Sequence, residues 1–209
     1  MCMDGDRIEE IHSHHGVSVL RFASGESLRI PRAMRRRSPF HTGTRAEPGE
    51  VLDWVSAHAR PFAMDRACYF LGASMRSVRE MERRLREAAY PEESIRETLC
   101  VLEENGLLDD VQYSREVTAS QLHRGYGPRS IRSRLASRGI GAELARASVG
   151  EVSQEMELDS AREALRKLSR GRDLSSFENL QKLRQALFRR GFDSSVISRV
   201  LEEAGDEQN

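Results

Sequence analysis

Arg124, Tyr126, Arg129, Arg132, Arg134 and Arg138 crowd around one turn, Gly125-Tyr-Gly-Pro128. Guanidinium groups at that density, with one aromatic ring among them, suit an anionic partner. Nucleic-acid phosphates, phosphates already bound by another protein and an acidic protein face all meet that description. A solvated arginine-rich helix face has the same composition, and spacing alone does not separate the two readings. On a helix launched at Pro128, Ile131 and Leu135 fall to the core. Arg129 and Arg132 then lie near one another, and Arg134 and Arg138 form an i, i+4 pair. A helix-turn-helix with such a second helix could enter a DNA groove. Base readout typically wants Asn or Gln beside the arginine, and this helix has neither, so backbone or protein contact is favoured.

The other chemistry-bearing residues point to less. His12, His14 and His15 cluster without an acidic or thiol ligand at helical spacing, which reads as a solvated tract and not a metal site. Asp109 and Asp110 are adjacent carboxylates, yet they stand where a helix needs its N-cap. Phosphate-binding glycine loops, dinucleotide fingerprints and nucleophile elbows are all missing from the sequence. Cys2, Cys68 and Cys100 have no CxxC spacing, so reduced thiols are expected, with Cys68 on an apolar helical stripe. The chain reads as a non-enzyme with no cofactor and no metal.

Charge is balanced overall, at 33 basic against 33 acidic residues, but unevenly spread. Residues 111–150 hold seven Arg against two Glu, whereas the segments on either side are net acidic. A basic centre between acidic shoulders again directs attention to the middle of the chain. Hydrophobic residues make up 38% and aromatic residues 6%, which suits several thin cores better than one large one. No apolar run reaches the roughly 18–20 residues of a membrane span, and the acidic N-terminus lacks the layout of a secretory signal. A soluble, cytoplasmic protein is expected.

What must position these residues is a repeat. Leu85, Leu135 and Leu187 are each followed five residues on by a large apolar residue, Tyr90, Ile140 and Phe192. Glycine precedes that residue in two of the three copies, at Gly139 and Gly191, and Ala89 replaces it in the first. A period of this size marks tandem helical units that cannot bury their apolar faces singly. The expected fold is mainly α, with three tandem three-helix repeats behind a small N-terminal β-hairpin. The hairpin and a basic linker occupy residues 1–49, with strands over 16–22 and 26–30 and a third short strand over 7–11. A short connecting helix takes 50–60. Repeat 1 covers 61–106, with Met64, Ala67, Cys68 and Leu71 as its first stripe, a capping box at Ser77 and Glu80, and Pro91 as the first residue of its third helix. Repeat 2 covers 107–150, its third helix about a residue shorter than its counterparts. Repeat 3 covers 151–205, with a second capping box at Ser175 and Glu178 ahead of Phe177, Leu180, Leu183 and Leu187, and Gly205 at its end.

In order and spacing, four phrases carry a resemblance: Leu71-Gly-Ala-Ser-Met-Arg-Ser77 with Glu80; Asn105-Gly-Leu-Leu-Asp-Asp110 with Tyr113; Arg124-Gly-Tyr-Gly-Pro128 through Ile131, Leu135 and Arg138-Gly-Ile140; and Leu187-Phe-Arg-Arg-Gly-Phe192. Over about residues 60–205 the chain resembles the RecX regulatory proteins, bacterial modulators of the RecA recombinase. The resemblance implies that the three repeats form an elongated curved array, a monomer that binds along the groove of the RecA–DNA filament and restrains its ATP hydrolysis, strand exchange and coprotease activity, in recombination and the SOS response. It also implies direct contact with single- or double-stranded DNA in some members. The alternative is a helix-turn-helix-like nucleic-acid-binding protein acting without a recombinase. Two departures stand out: Ala119 and Gln121 where relatives often have arginine, and Tyr90 without its preceding glycine. Charge reversal at Arg129, Arg132 and Arg138 is expected to weaken filament binding while leaving helical content unchanged.

Overall fold

The structure, a computed structural model, describes residues 5–170 and 176–206. Two compact units divide the chain, residues 1–109 and 110–209.

The first unit opens with three antiparallel strands, β1 (Ile8–His14), β2 (Val17–Phe22) and β3 (Ser27–Pro31), in the order β1-β2-β3. The β1–β2 hairpin turns through His15 and Gly16, both at positive φ. Alternation sets the buried face: Leu20 and Phe22 from β2 join Ile8 and Ile30 in the core. The segment after Pro31 is not the irregular linker its prolines and glycines suggest. Arg32–Arg37 form a 3-10 helix that buries Met34, and residues 43–46 return to the start of the sheet. There Ile8 N–H donates to the Thr44 carbonyl at 2.9 Å and Gly43 N–H to the Ile8 carbonyl at 2.7 Å. Bonding to β1 satisfies backbone groups that a loose linker would leave to water.

Helix α1 runs unbroken from Pro48 to Ala73, so the expected boundary near residue 60 does not exist. A reciprocal capping box between Glu47 and Glu50 starts it, with Pro48 at its N-terminus. Pro61 lies inside, where it removes one helical N–H but does not stop the helix. What carries the helix through is a stripe of small residues, Ala59, Ala63 and Ala67, all fully buried. That stripe sets the phase: Phe70 turns inward and Cys68 outward, correcting the expectation of Cys68 in the core. Trp54, on the same helix, stacks on His58 at 4.8 Å and meets Phe40 edge-on at 6.1 Å. Helices α2 (Val78–Glu87) and α3 (Glu92–Glu104) complete the first three-helix core, with Met81, Leu85, Ile95, Leu99 and Leu102 buried. Ser77 caps α2 by accepting from Glu80 N–H at 3.1 Å, while Pro91 sits at the N-cap of α3 and not inside it.

The second unit holds two further triplets. Helices α4 (Asp110–His123), α5 (Pro128–Ser137) and α6 (Ala142–Gly150) share a core of Tyr113, Leu122, Ile131, Leu135, Ile140 and Val149. Helix α6 has 9 residues where α3 and α9 have 13, a larger shortfall than expected. Helices α7 (Gln154–Leu168), α8 (Phe177–Arg189) and α9 (Ser194–Asp206) enclose Leu158, Leu165, Leu183, Leu187, Phe192 and Ile197. Ser175 lies outside the described residues; Ser176 occupies the N-cap of α8 without a side-chain bond, and Phe177 is 76% exposed instead of buried. Gly205 falls within the last turn of α9 and does not end it.

The five-residue phrase is a helix terminator. Tyr90, Ile140 and Phe192 each donate N–H to the leucine five residues earlier, at 3.2, 3.1 and 3.4 Å. The residue before each takes a left-handed conformation, with φ of 64° at Ala89, 87° at Gly139 and 92° at Gly191. This is the Schellman arrangement: two orphan carbonyls are satisfied, and the apolar residue is turned back into the core. Helices α3 and α4 end in the same way, through Gly106 and Gly125.

Candidate partner-binding surface

In the second unit the Gly125–Pro128 turn carries α4 into α5, and it packs directly on the following triplet. A Cβ added at Gly125 would lie 3.0 Å from Ala164 Cβ on α7. One added at Gly127 would fall 2.5 Å from the carbonyl of Gly191, inside any permitted contact. Backbone meets backbone here: Gly127 N–H donates to the Arg190 carbonyl at 2.9 Å and Arg129 N–H to that of Gly191 at 3.2 Å. Ser160 Oγ, buried on α7, lies 2.7 Å from the Leu122 carbonyl and 3.3 Å from that of Tyr126. Glycine is needed because the two main chains approach closely, a use separate from its freedom at positive φ.

The six residues picked out by spacing do not form one patch. Tyr126 lies between two guanidinium groups, Arg134 at 4.9 Å and Arg190 at 5.4 Å from the ring centroid. Arg134 also donates to Gln121 Oε1 at 2.7 Å, and Arg190 to the Gly125 carbonyl at 3.1 Å. Arg129 stacks over Phe188 at 4.0 Å and donates to its carbonyl, tying α5 to α8. Arg138 donates to the hydroxyl of buried Tyr113 at 2.6 Å. So Arg129 and Arg132 are not a working pair, and Arg134 and Arg138 serve different partners. Arg124 and Arg132 are exposed, and their side chains make no hydrogen bond or ion pair among the described residues.

Local spacing does not place Gln121, Phe188 or Arg190 among the candidate residues. Phe188 and Arg190 lie about sixty residues further along the chain, and their only signal was the phrase Leu187-Phe-Arg-Arg-Gly itself. Arg132 has an electrostatic role: its charge opposes the rise in the Glu157 carboxyl pKa, which burial produces first and Asp193 second. Glu157 Oε1 is buried without a hydrogen-bond partner.

The histidines lie at the tip of the first hairpin. His12 approaches Glu10 at 2.6 Å, and His14 and His15 meet edge to face at 4.9 Å. Among the described residues no group of three or more His, Cys, Asp and Glu is placed to hold a metal ion. No helix among them is long and apolar enough to cross a membrane. Cys68 and Cys100 are free and exposed; a hydrogen bond to Glu104 pushes the Cys100 thiol pKa up, away from nucleophilic character.

Comparison with known proteins places these features in a family. A model of the first three-helix domain of RecX matches residues 63–100, and a model of the third matches residues 154–201. The regulatory protein RecX of Streptomyces coelicolor is 30% identical over 169 residues, covering 80% of this chain and 88% of that protein. That of Legionella pneumophila (strain Corby) is 29% identical over 141 residues, covering 68% and 93%. Among solved structures, a regulatory protein RecX superposes with a TM-score of 0.62 at 22% identity over 94% of this chain and 99% of the other. RecX from Lactobacillus salivarius gives 0.63 at 21% identity, over 70% and 97%. Both share the fold.

Proposed function

We propose that this chain, which belongs to the RecX family of regulatory proteins, binds a RecA–DNA filament along its groove and restrains the filament's ATP hydrolysis, strand exchange and coprotease activity. It acts in the cytoplasm as a monomer, by occupancy and without catalysis of its own. The curved repeat array that the family resemblance implies would let one chain touch several protomers, so that avidity supplies the affinity.

The observation that supports this reading over an independent DNA-binding one is the seam at Gly127 and Gly191. A helix-turn-helix reads bases with the N-terminal residues of its second helix. Here that end of α5 is covered: Gly127 and Arg129 are bonded to Arg190 and Gly191, and the Arg129 side chain lies on Phe188. The arginines left to meet a partner include Arg124 and Arg132, while Arg129, Arg134, Arg138 and Tyr126 hold the surface in shape.

The test is ATP hydrolysis by recombinase filaments on single-stranded DNA, with the protein added at stoichiometric amounts. Inhibition is expected, and Arg124→Glu combined with Arg132→Glu should weaken it with far-UV circular dichroism unchanged. Unaltered hydrolysis in the presence of the native chain would sink the reading. Reversal at Arg129 or Arg138 is a poorer probe, because each already serves the packing.

A further inference from the structure

The first unit has a cationic cleft that the proposed function does not use. It measures about 520 Å³ and is lined by Gly16, Arg32, Ala33, Arg36, Arg66 and Tyr90. No carboxylate lines it. Burial raises the Tyr90 hydroxyl pKa, with the Arg66 charge opposing the rise and Asp65 adding to it. Arg32 and Arg36 project from the 3-10 helix, and neither they nor Arg66 form an ion pair among the described residues. Several other arginines in this unit are engaged: Arg76 and Arg84 with Glu80, Arg86 with Glu82 and Glu92, Arg60 with Glu97. Three like charges around one cleft repel each other, and a bound anion reverses that balance.

The cleft is also built. Arg66 is held by stacking on Phe70 at 4.4 Å and on Tyr69 at 5.1 Å, so its charge is positioned before any ligand arrives. Gly16 borders it, its Cβ position lying 3.6 Å from Arg66 Nη2, an ordinary contact distance. Tyr90 is buried, and its hydroxyl donates to the Phe62 carbonyl at 3.0 Å, which closes that wall. Arg32 N–H is bonded to the Gly16 carbonyl at 2.9 Å, which fixes the 3-10 helix against the hairpin tip. Beside this stands Tyr69, 69% exposed and within stacking distance of the same Arg66. An exposed ring next to a group of guanidiniums is the pairing that holds a base together with its phosphate.

We propose that this cleft binds nucleotide phosphates through Arg32, Arg36 and Arg66, with Tyr69 as the platform for the adjoining base. Two sources present that chemistry, a free nucleoside triphosphate and a single nucleic-acid strand. The site does not depend on the filament reading, and its test contains no recombinase.

The full chain is titrated against two fluorescent probes, a labelled nucleoside triphosphate and a labelled oligothymidylate of about a dozen nucleotides. The probe that binds identifies the source. Arg32→Glu with Arg36→Glu should weaken that probe roughly ten-fold or more, the loss expected when charge-assisted phosphate contacts become repulsive. Tyr69→Ala should weaken it roughly five-fold, as loss of one stacked base does, while inorganic triphosphate competes as well as before. The milder Arg36→Gln and circular dichroism of each variant guard against misfolding. The proposal is overturned if neither probe binds the native chain, or if binding survives the double reversal. It is overturned as well if Tyr69→Ala binds both probes like the native chain, which would make the cleft a plain polyanion site.

Discussion

Ala89 occupies a left-handed position, φ 64°, that the other two copies give to glycine. A side chain there costs about 1–2 kcal/mol per residue relative to the right-handed form. Ala89→Gly is therefore expected to stabilise the first unit by about 1 kcal/mol, read as a higher urea midpoint with unchanged slope. A lower midpoint would mean that Ala89 Cβ packing outweighs the strain. Glu157 offers a second test at this scale, through pH. Burial holds its carboxyl above the ordinary carboxylate range, with Asp193 adding to the shift and Arg132 opposing it. Well below the ordinary pKa the group is protonated in folded and unfolded chains alike and imposes no penalty. As pH rises, the unfolded chain ionises first, so stability falls until the raised folded-state pKa has been passed. Glu157→Gln removes that titration, and its urea midpoint should gain on the native one across the same window. Parallel pH profiles would show that the carboxylate is not penalised. At this scale the sequence was informative about identity and silent about partners. Arg134 and Arg138 could be placed four residues apart, but nothing nearby could reveal that one meets Tyr126 and the other Tyr113.

Element boundaries were the most legible feature, because each terminator is local: a leucine, a residue able to turn left-handed, and an apolar residue that re-enters the core. Helix α1 shows where local rules lose. Pro61 argues for a break, yet the buried stripe Ala59, Ala63 and Ala67 lets neighbouring elements pack close enough to carry the helix through. The segment after Pro31 departs from its local signals for a related reason, since its bonds to β1 are with residues more than thirty positions away. Two glycines separate local from long-range roles by experiment. Gly106 and Gly191 both sit at positive φ, but space around Gly106 is open, whereas Gly191 abuts Ser130. Gly106→Ala should cost about 1–2 kcal/mol, from backbone strain alone. Gly191→Ala should add roughly 1–3 kcal/mol of overpacking and unfold the second unit at lower urea. Equal losses would show that the seam yields without resistance.

Across the whole chain, the sequence conveyed the repeat and its family, while the surface needed the fold. The unequal spread of charge points to the middle helices, and part of that charge serves the packing: Arg129 ties α5 to α8, while Arg134 and Arg138 tie α5 to residues of α4 and the turn after it. If the seam is what presents Arg124 and Arg132 to a filament, Gly191→Ala should lose inhibition of ATP hydrolysis even at a urea-free temperature where the first unit stays folded. Retained inhibition would separate binding from the seam. Trp54 makes such a measurement practical. It is the chain's one tryptophan, and it lies in the first unit between His58 and Phe40. Indole emission therefore reports on one half of the molecule and is dark to the other, whereas circular dichroism records both. A transition present in the dichroism melting curve and missing from the emission curve would be the unfolding of the half that carries the seam, obtained without a label or a cut.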